Sequence, residues 1–302
     1  MAEVSITVFT PTYNRGKYLR RLHDSLKAQS QYLTEWLVVD DGSDDNTAAI
    51  MEELIKEAAV SIAYFYQENG GKHRAINRGV QLAKGDLFFI VDSDDYLPVG
   101  SLSEVSRRWA AVCQQRDADR YAGLCGLRAD SQGTVIGGKV DYEELDATII
   151  EYRYVRGYHG DKAEIYRTEV LRRFPFPEID GEKFCTEAMV WNRIAIHPYL
   201  LRFFNETIYI CEYLPGGLSA KSFMLRRDSP QSAMLYYAEF LNIRVVSWKY
   251  RVRAAINYWR FAVYDQKHTF TEKRKLIRQR WTLVFLPVAC CLSIVDRINA
   301  KS

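Results

Sequence analysis

Leu87-Phe88-Phe89-Ile90-Val91-Asp92-Ser93-Asp94-Asp95 runs five apolar residues straight into a cluster of three carboxylates. A short apolar run without polar alternation reads as a strand buried on both faces. In an open parallel sheet, ligands gather outside the carboxyl ends of the strands. The three carboxylates repel one another when ionised and call for positive charge. A divalent cation held jointly by protein and a diphosphate supplies it, and oxygen ligands of this kind suit Mg²⁺ or Mn²⁺.

Three similar runs come before this one: Ser5 to Phe9, Trp36 to Val39 and Ile62 to Phe65. The segments between them, from about Lys17, Asp45 and His73, carry apolar residues at helical spacing, as in Leu19, Leu22 and Leu26 or Ile50, Leu54 and Ile55. Strands alternating with helices predict a parallel sheet with crossover helices, so residues 1–97 form the open nucleotide-binding half of an α/β domain. Residues 98–215 supply the other wall of a cleft, with a helix over Leu102 to Cys113 and strand-like pieces at Ala122 to Leu127 and Thr134 to Ile136. Together, 1–215 make the catalytic domain. After Pro215-Gly216-Gly217 the pattern turns to long helices, Gln231 to Asp265 and Lys273 to Arg297, which gives a C-terminal helical extension over 216–302.

The chain has 302 residues, 48% of them hydrophobic, enough for a sizeable core. Its 41 basic and 38 acidic residues leave a formal charge of only +3, which gives no pull toward nucleic acid, and none is expected as a partner. Six cysteines without a CxxC pair fit a reduced interior. The N-terminus reaches a strand within a few residues with no leader-like pattern, so a cytoplasmic catalytic part is expected. No GxGxxG follows a predicted strand, which disfavours a dehydrogenase.

The residues after each strand are polar and acidic: Thr10-Pro11-Thr12-Tyr13-Asn14-Arg15, Asp40-Asp41-Gly42-Ser43-Asp44-Asp45 and Asp92-Ser93-Asp94-Asp95. Asp40 to Ser43 alone would also serve as a turn into a capped helix. Asn69-Gly70-Gly71-Lys72-His73-Arg74 opens a helix with two glycines and three cationic candidates. Its helix N-terminal amides and Lys72 favour an anion, hence a diphosphate or base contact; the alternative is a glycine turn with a solvated basic face.

In order and spacing, Val8-Phe9-Thr10-Pro11-Thr12-Tyr13-Asn14, Val38-Val39-Asp40-Asp41-Gly42-Ser43, Ala75-Ile76-Asn77-Arg78-Gly79 and Asp92-Ser93-Asp94-Asp95 resemble glycosyltransferase family 2, whose GT-A enzymes extend polysaccharides and glycolipids. The resemblance implies a GT-A, Rossmann-like nucleotide-binding fold. It implies metal-dependent, inverting transfer from a nucleotide-diphosphate sugar, in the UDP form, to a saccharide or lipid-linked acceptor, with Mn²⁺ or Mg²⁺ as cofactor. Carried over by position, Pro11 and Tyr13 border the nucleobase with Arg15 beside them, and Asp41 accepts a hydrogen bond from uracil. Asp92 and Ser93 lie near the ribose or sugar. Asp94, with Asp92, holds the metal, and Asp95 stands behind them. Asn77 matches a family position and would contact substrate or brace the loop.

Inverting transfer needs a base for the acceptor hydroxyl. Glu182-Lys183-Phe184-Cys185-Thr186-Glu187, followed by Trp191, is similar to the family's acidic motif at a helix start, which makes Glu187 the candidate base. Thr186-Glu187 stands where the commoner motif has Glu-Asp, so Asp180, Glu182 and Asp161 compete for the role. Trp191, at i+4 from Glu187, would stack on a sugar or fill the core. His159 lies in a loop and is read as exposed.

Trp281 to Val295 is uncharged and preceded by Lys273, Arg274, Lys275, Arg278 and Arg280. It is shorter than the roughly 20 residues of a membrane-spanning helix, and Pro287 interrupts it. An interfacial helix with its basic flank on anionic headgroups is the membrane reading; a helix docked on the catalytic domain is the other. Upstream, Arg244, Lys249, Arg251, Arg253 and Arg260 alternate with Trp248, Tyr250, Tyr258 and Trp259, a mixture that suits a membrane surface, although RNA binding gives a similar composition. Peripheral contact through 240–302 at the inner face of the cell membrane is therefore expected. Two other functions fit less well. A sugar nucleotidyltransferase would carry a glycine-rich basic loop where Thr10-Pro11-Thr12-Tyr13 stands, and a non-catalytic sugar-nucleotide-binding or membrane scaffold protein would lack the carboxylates.

Overall fold

The computed structural model describes residues 4–212 and 222–299, so the Pro215-Gly216-Gly217 break lies outside the described residues. The four apolar runs of the first half become β1 (Ile6–Thr12), β2 (Glu35–Asp40), β3 (Ile62–Tyr66) and β4 (Leu87–Ile90), linked by α1 (Gly16–Lys27), α2 (Thr47–Lys56) and α3 (Lys72–Leu82). They pair in parallel, with Thr12 beside Asp40 and Phe9 beside Ile90, so that their carboxyl ends finish at one edge. The second half adds α4 (Ser101–Cys113), β5 (Tyr121–Asp130), β6 (Glu144–Ala147), β7 (Lys162–Arg167), α5 (Thr168–Arg173), α6 (Glu187–Ile196) and β8 (Leu200–Cys211).

All eight strands form one sheet in the order β3-β2-β1-β4-β7-β5-β8-β6. β7 is antiparallel to both β4 and β5, and β8 is parallel to β5. The ends of β5 and β8 and the start of β7 therefore reach the same edge as the end of β4. Apolar residues cover both faces of the sheet. One cluster joins Leu19, Leu22, Trp36, Met51, Leu102 and Val105. The other joins Phe9, Ile76, Val190, Met234, Ala255 and Trp259, so helices beyond residue 222 share a core with the sheet.

Several expectations are corrected here. Thr134 to Ile136 is not a strand; it makes a single bridge, Ala129 to Val135, within a stretch broken by Gly133, Gly137 and Gly138 at positive φ. β6, β7 and β8 carry charges that break the apolar signal. In β7, Lys162 is 1% exposed, and its Nζ donates to the carbonyls of Ile136 and His159 at 3.0 Å each. After α7 (Ser222–Asp228), the long C-terminal helices are each divided, the first into α8 (Pro230–Phe240) and α9 (Trp248–Ala262), the second into α10 (Phe270–Ile277) and α11 (Leu286–Asn299). Arg278, at φ 59°, ends α10. Pro287 falls in the first turn of α11, where a missing N–H costs nothing, so it starts this helix rather than interrupting one.

Close backbone approach fixes one glycine of the central sheet. A Cβ on Gly123 in β5 would lie 1.9 Å from the carbonyl oxygen of Ile165 in β7, so any side chain there forces the two strands apart. Gly123→Ala should lower stability by about 3 kcal/mol, read as a fall in the urea midpoint; an unchanged midpoint would contradict this packing.

Candidate active site

At the carboxyl edge of the sheet, Lys72 is the first residue of α3, Asp92 follows β4 and Glu187 opens α6. The Lys72 Nζ lies 2.6 Å from Asp92 Oδ1 and 2.8 Å from Glu187 Oε1. One ammonium thus joins the carboxylate of the acidic cluster to the candidate base. The three side chains are about a quarter to a third exposed, at 27%, 32% and 32%, so the group is half-buried and open to a ligand.

Lys72 is aimed by the loop before it. The Asp41 carboxylate, 4% exposed, accepts from Gln67 Nε2 (2.8 Å), Gly70 N (2.9 Å) and Gly71 N (2.7 Å), with Asn69 Nδ2 at 3.3 Å. Gly71 stands at φ +98°, and a Cβ there would fall 1.9 Å from the carbonyl oxygen of Lys183. Only glycine meets both demands. Asp41 therefore has donors on both oxygens from its own loop, and in this conformation it organises the turn.

The acidic turn is braced from β8. The Tyr209 hydroxyl accepts from Asp92 N (2.9 Å) and donates to Asp95 Oδ2 (2.7 Å), while Asp95 Oδ1 accepts from Glu212 N (2.8 Å). Arg21 of α1 donates to the Asp94 carbonyl and pairs with Glu212. Burial, with the charge of Asp92, pushes the Asp95 carboxyl up to about 7. Asp94 is raised as well, by burial first and then by Asp92, with Arg15 and Lys72 opposing. For Asp92, burial opposes ionisation, but Lys72 and then Arg128 outweigh it and hold the carboxyl below its ordinary value. Among the described residues, no three His, Cys, Asp or Glu side chains converge as a metal-binding group. The donor set still fits a cation shared with a ligand: Asp94 has no ion pair among the described residues, and its charge is disfavoured until positive charge arrives.

The other expected site residues divide clearly. Pro11 and Ser93 are buried at the edge, Tyr13 is 50% exposed beside them, and Arg15 is half-buried against the Tyr18 ring. Asn77 braces the 176–178 loop, donating to the Phe176 carbonyl (2.9 Å) and Glu178 Oε1 (2.7 Å) and accepting from Phe176 N (2.9 Å). Trp191 is corrected to the core aromatic: it is 5% exposed and stacked on Tyr166 at 4.4 Å, with no face left for a sugar. Glu182 is corrected as well. It is 3% exposed and caps α8, accepting from Gln231 N (2.7 Å) and Ser232 N (2.8 Å), so it cannot serve as a base. Asp180, Asp161 and His159 are exposed.

Sequence reasoning missed Arg21, Arg128, Tyr209 and Glu212. The one usable signal was Arg128, a lone charge inside the apolar run from Tyr121 to Ala129. A groove of about 550 Å³ lies beside α3, lined by Gln67, Arg74, Asn77, Arg78 and Glu178 among others, but Arg74 and Asn77 are spent there on loop carbonyls.

With this geometry in place, the chain can be set against known proteins. A family model described as glycosyl transferase family 2 matches residues 7–127. Glycosyltransferase GlyG of Streptococcus pneumoniae is 31% identical over 230 residues, 73% of this chain and 74% of that protein. The poly(ribitol-phosphate) beta-N-acetylglucosaminyltransferase TarS of Staphylococcus aureus is 32% identical over 248 residues, 79% of this chain but 41% of TarS, so the match spans less than half of that relative. Among solved structures, TarS residues 1–349 in complex with UDP-GlcNAc superposes with a TM-score of 0.59 at 22% identity, covering 95% of this chain and 79% of that one. The mannosyltransferase PcManGT of Pyrobaculum calidifontis, in complex with GDP-Man and Mn²⁺, gives 0.56 at 17% identity, covering 96% and 87%. At these identities the structures show the fold alone, and it is the GT-A fold.

The Lys72 bridge makes a pH-dependent contribution to stability. Asp92 has a depressed carboxyl, so the pair stabilises the fold above the unfolded value near pH 4 and stops doing so as pH falls through the lower folded value. Lys72→Met, which leaves two carboxylates facing each other, should cost about 2 kcal/mol at pH 7. The difference from the parent should shrink below about pH 4 in urea titrations; a pH-independent difference would contradict the bridge.

Proposed function

Since the chain belongs to glycosyltransferase family 2, we propose that it moves a sugar from a nucleotide-diphosphate donor, in the UDP form, to a hydroxyl of a saccharide or lipid-linked acceptor, with inversion. The observation that carries this reading is the Lys72 bridge, which sets the candidate base against the acidic turn. The donor occupies the edge of β1, β2 and β4, with Pro11, Tyr13 and Arg15 near the base and phosphates and Ser93 near the sugar. Glu187, held by Lys72 through Oε1, takes the acceptor's proton. Asp94 and Asp92 would hold Mn²⁺ or Mg²⁺ together with the diphosphate, and the bound ion would neutralise the departing charge. The amides that open α3 and Lys72 add positive potential on the same side.

Glu187→Gln should preserve UDP binding and lower transfer by roughly 10²-fold or more. Asp94→Ala should remove the metal-dependent part of UDP binding in calorimetry. Normal transfer by the first variant places the base elsewhere, and unchanged metal-dependent affinity in the second removes the metal assignment.

Peripheral membrane contact through 240–302, at the inner face of the cell membrane, is the second part of the proposal. No helix among the described residues is long and apolar enough to cross a membrane. α11 buries Ala289 and Ser293 and is tied to α9 by the Arg260–Asp296 pair, yet leaves Val284, Val288, Ile294 and Val295 between 48% and 75% exposed on and just before it. Arg274, Lys275, Arg278 and Arg280 are exposed nearby in sequence. A docked helix with an apolar outer surface and a basic flank suits anionic lipid. The full chain should float with anionic liposomes at low salt, and Val284→Ser combined with Val288→Ser should weaken that binding severalfold; failure of the parent to float discards this part of the reading.

A further inference from the structure

Most of the buried and half-buried guanidiniums among the described residues are matched to carboxylates. Arg108 reaches Glu104, Glu144 and Glu206, Arg193 pairs with Glu239, Arg202 with Asp146 and Arg260 with Asp296. Arg128 is an exception placed at the catalytic edge. It lies near the end of β5, with Nε donating to the Lys162 carbonyl at 2.8 Å and the guanidinium 4.1 Å from the centroid of the Tyr209 ring. That ring carries the hydroxyl that binds Asp92 N and Asp95. Among the described residues, no carboxylate oxygen comes within salt-bridge distance of Arg128. Nearby anions are already engaged: Asp92 holds Lys72, and Glu164 holds Arg153 at 3.0 Å. Asp92 and Glu164 favour the guanidinium charge from beyond salt-bridge distance, so Arg128 can still take a direct ionic partner from an anionic ligand.

We infer that Arg128 recognises an oxyanion on the acceptor, a phosphate or carboxylate close to the hydroxyl that is glycosylated. The inference rests on the donor placement proposed above. In the sheet order, β5 lies two strands beyond β4, on the side away from β1 and β2, where the donor is placed. Arg15 serves the Asp94 side of the acidic turn, and Arg128 faces it from the Asp92 and Glu164 side. With Nε on the Lys162 carbonyl and a side-chain hydrogen bond to Cys211, the guanidinium keeps terminal N–H groups for a charge-assisted contact to a phosphate or carboxylate. Lysine, a point charge, reproduces the attraction but not the fork.

The test titrates inorganic phosphate and, separately, acetate into the full chain with UDP and Mn²⁺ in excess, so that the donor side is filled. Affinity for the preferred anion should fall at least tenfold in Arg128→Met and take an intermediate value in Arg128→Lys. Stronger binding of phosphate or of acetate identifies the class of acceptor. Should Arg128→Met fail to fold, ¹⁵N-arginine spectra of the parent replace it, with the Arg128 guanidinium signal, assigned by its absence in Arg128→Lys, shifting on addition of the anion. Equal affinity in parent and Arg128→Met, or an unmoved guanidinium signal, overturns the inference. A parent chain that takes up no UDP with Mn²⁺ overturns the donor reading instead, and the two failures are thereby told apart.

Discussion

Lys72 sits between carboxylates that belong to different halves of the sheet, Asp92 at the end of β4 and Glu187 at the start of α6. Two partly buried anions repel one another unless a cation lies between them, so this one ammonium lets both halves bring a carboxylate to the same cleft. The supporting structure follows from that demand. Asp41 spends its carboxylate on the glycine turn that starts α3, Gly71 lets the turn pass under the Lys183 carbonyl, and Arg74 ties the same turn to the carbonyls of Ile179 and Glu182. Asp41 thus aims the lysine through the turn that it holds.

The first half was legible because its signals are local. Apolar runs buried on both faces, helical spacing between them and carboxylates at the strand ends each depend on near neighbours in sequence, and β1 to β4 appear within two or three residues of where those signals place them. The second half was poorly legible because its strands bury charge. Lys162 is satisfied by two carbonyls and Arg202 by Asp146, and a pattern of apolar and polar letters cannot anticipate pairings over such distances. Trp191 and Glu182 failed for a related reason. Each lies near Glu187 in sequence, but Trp191 packs inward on Tyr166 and Glu182 reaches forward to the N-terminus of α8. Family likeness marked the segment correctly and left open which of its acids faces the cleft.

The C-terminal helices belong to the same hydrophobic cluster as Phe9 and Ile76, so they act as a wall of the protein. Glu182 is the joint: its carboxylate holds two amides of α8 while its carbonyl holds Arg74, which links the loop before α6 to both the glycine turn and the helical extension. Disturbance of the outer helices thus has a short path to the loop that carries Glu187.

The brace from Tyr209 has a consequence for how the molecule assembles. Its hydroxyl meets Asp92 and Asp95 across 117 and 114 residues of chain, whereas the pairing of β1 with β2 closes a much shorter loop and that of β1 with β4 a somewhat shorter one. Loop-closure entropy delays distant contacts, so the parallel half can take shape while its acidic turn still lacks support. During synthesis the parallel half would leave the ribosome well before β8 exists, and the turn would gain its fixed geometry only when that strand docks. The fixed geometry of the acidic turn is in this way tied to completion of the sheet, and an interrupted chain would carry the carboxylates without their brace.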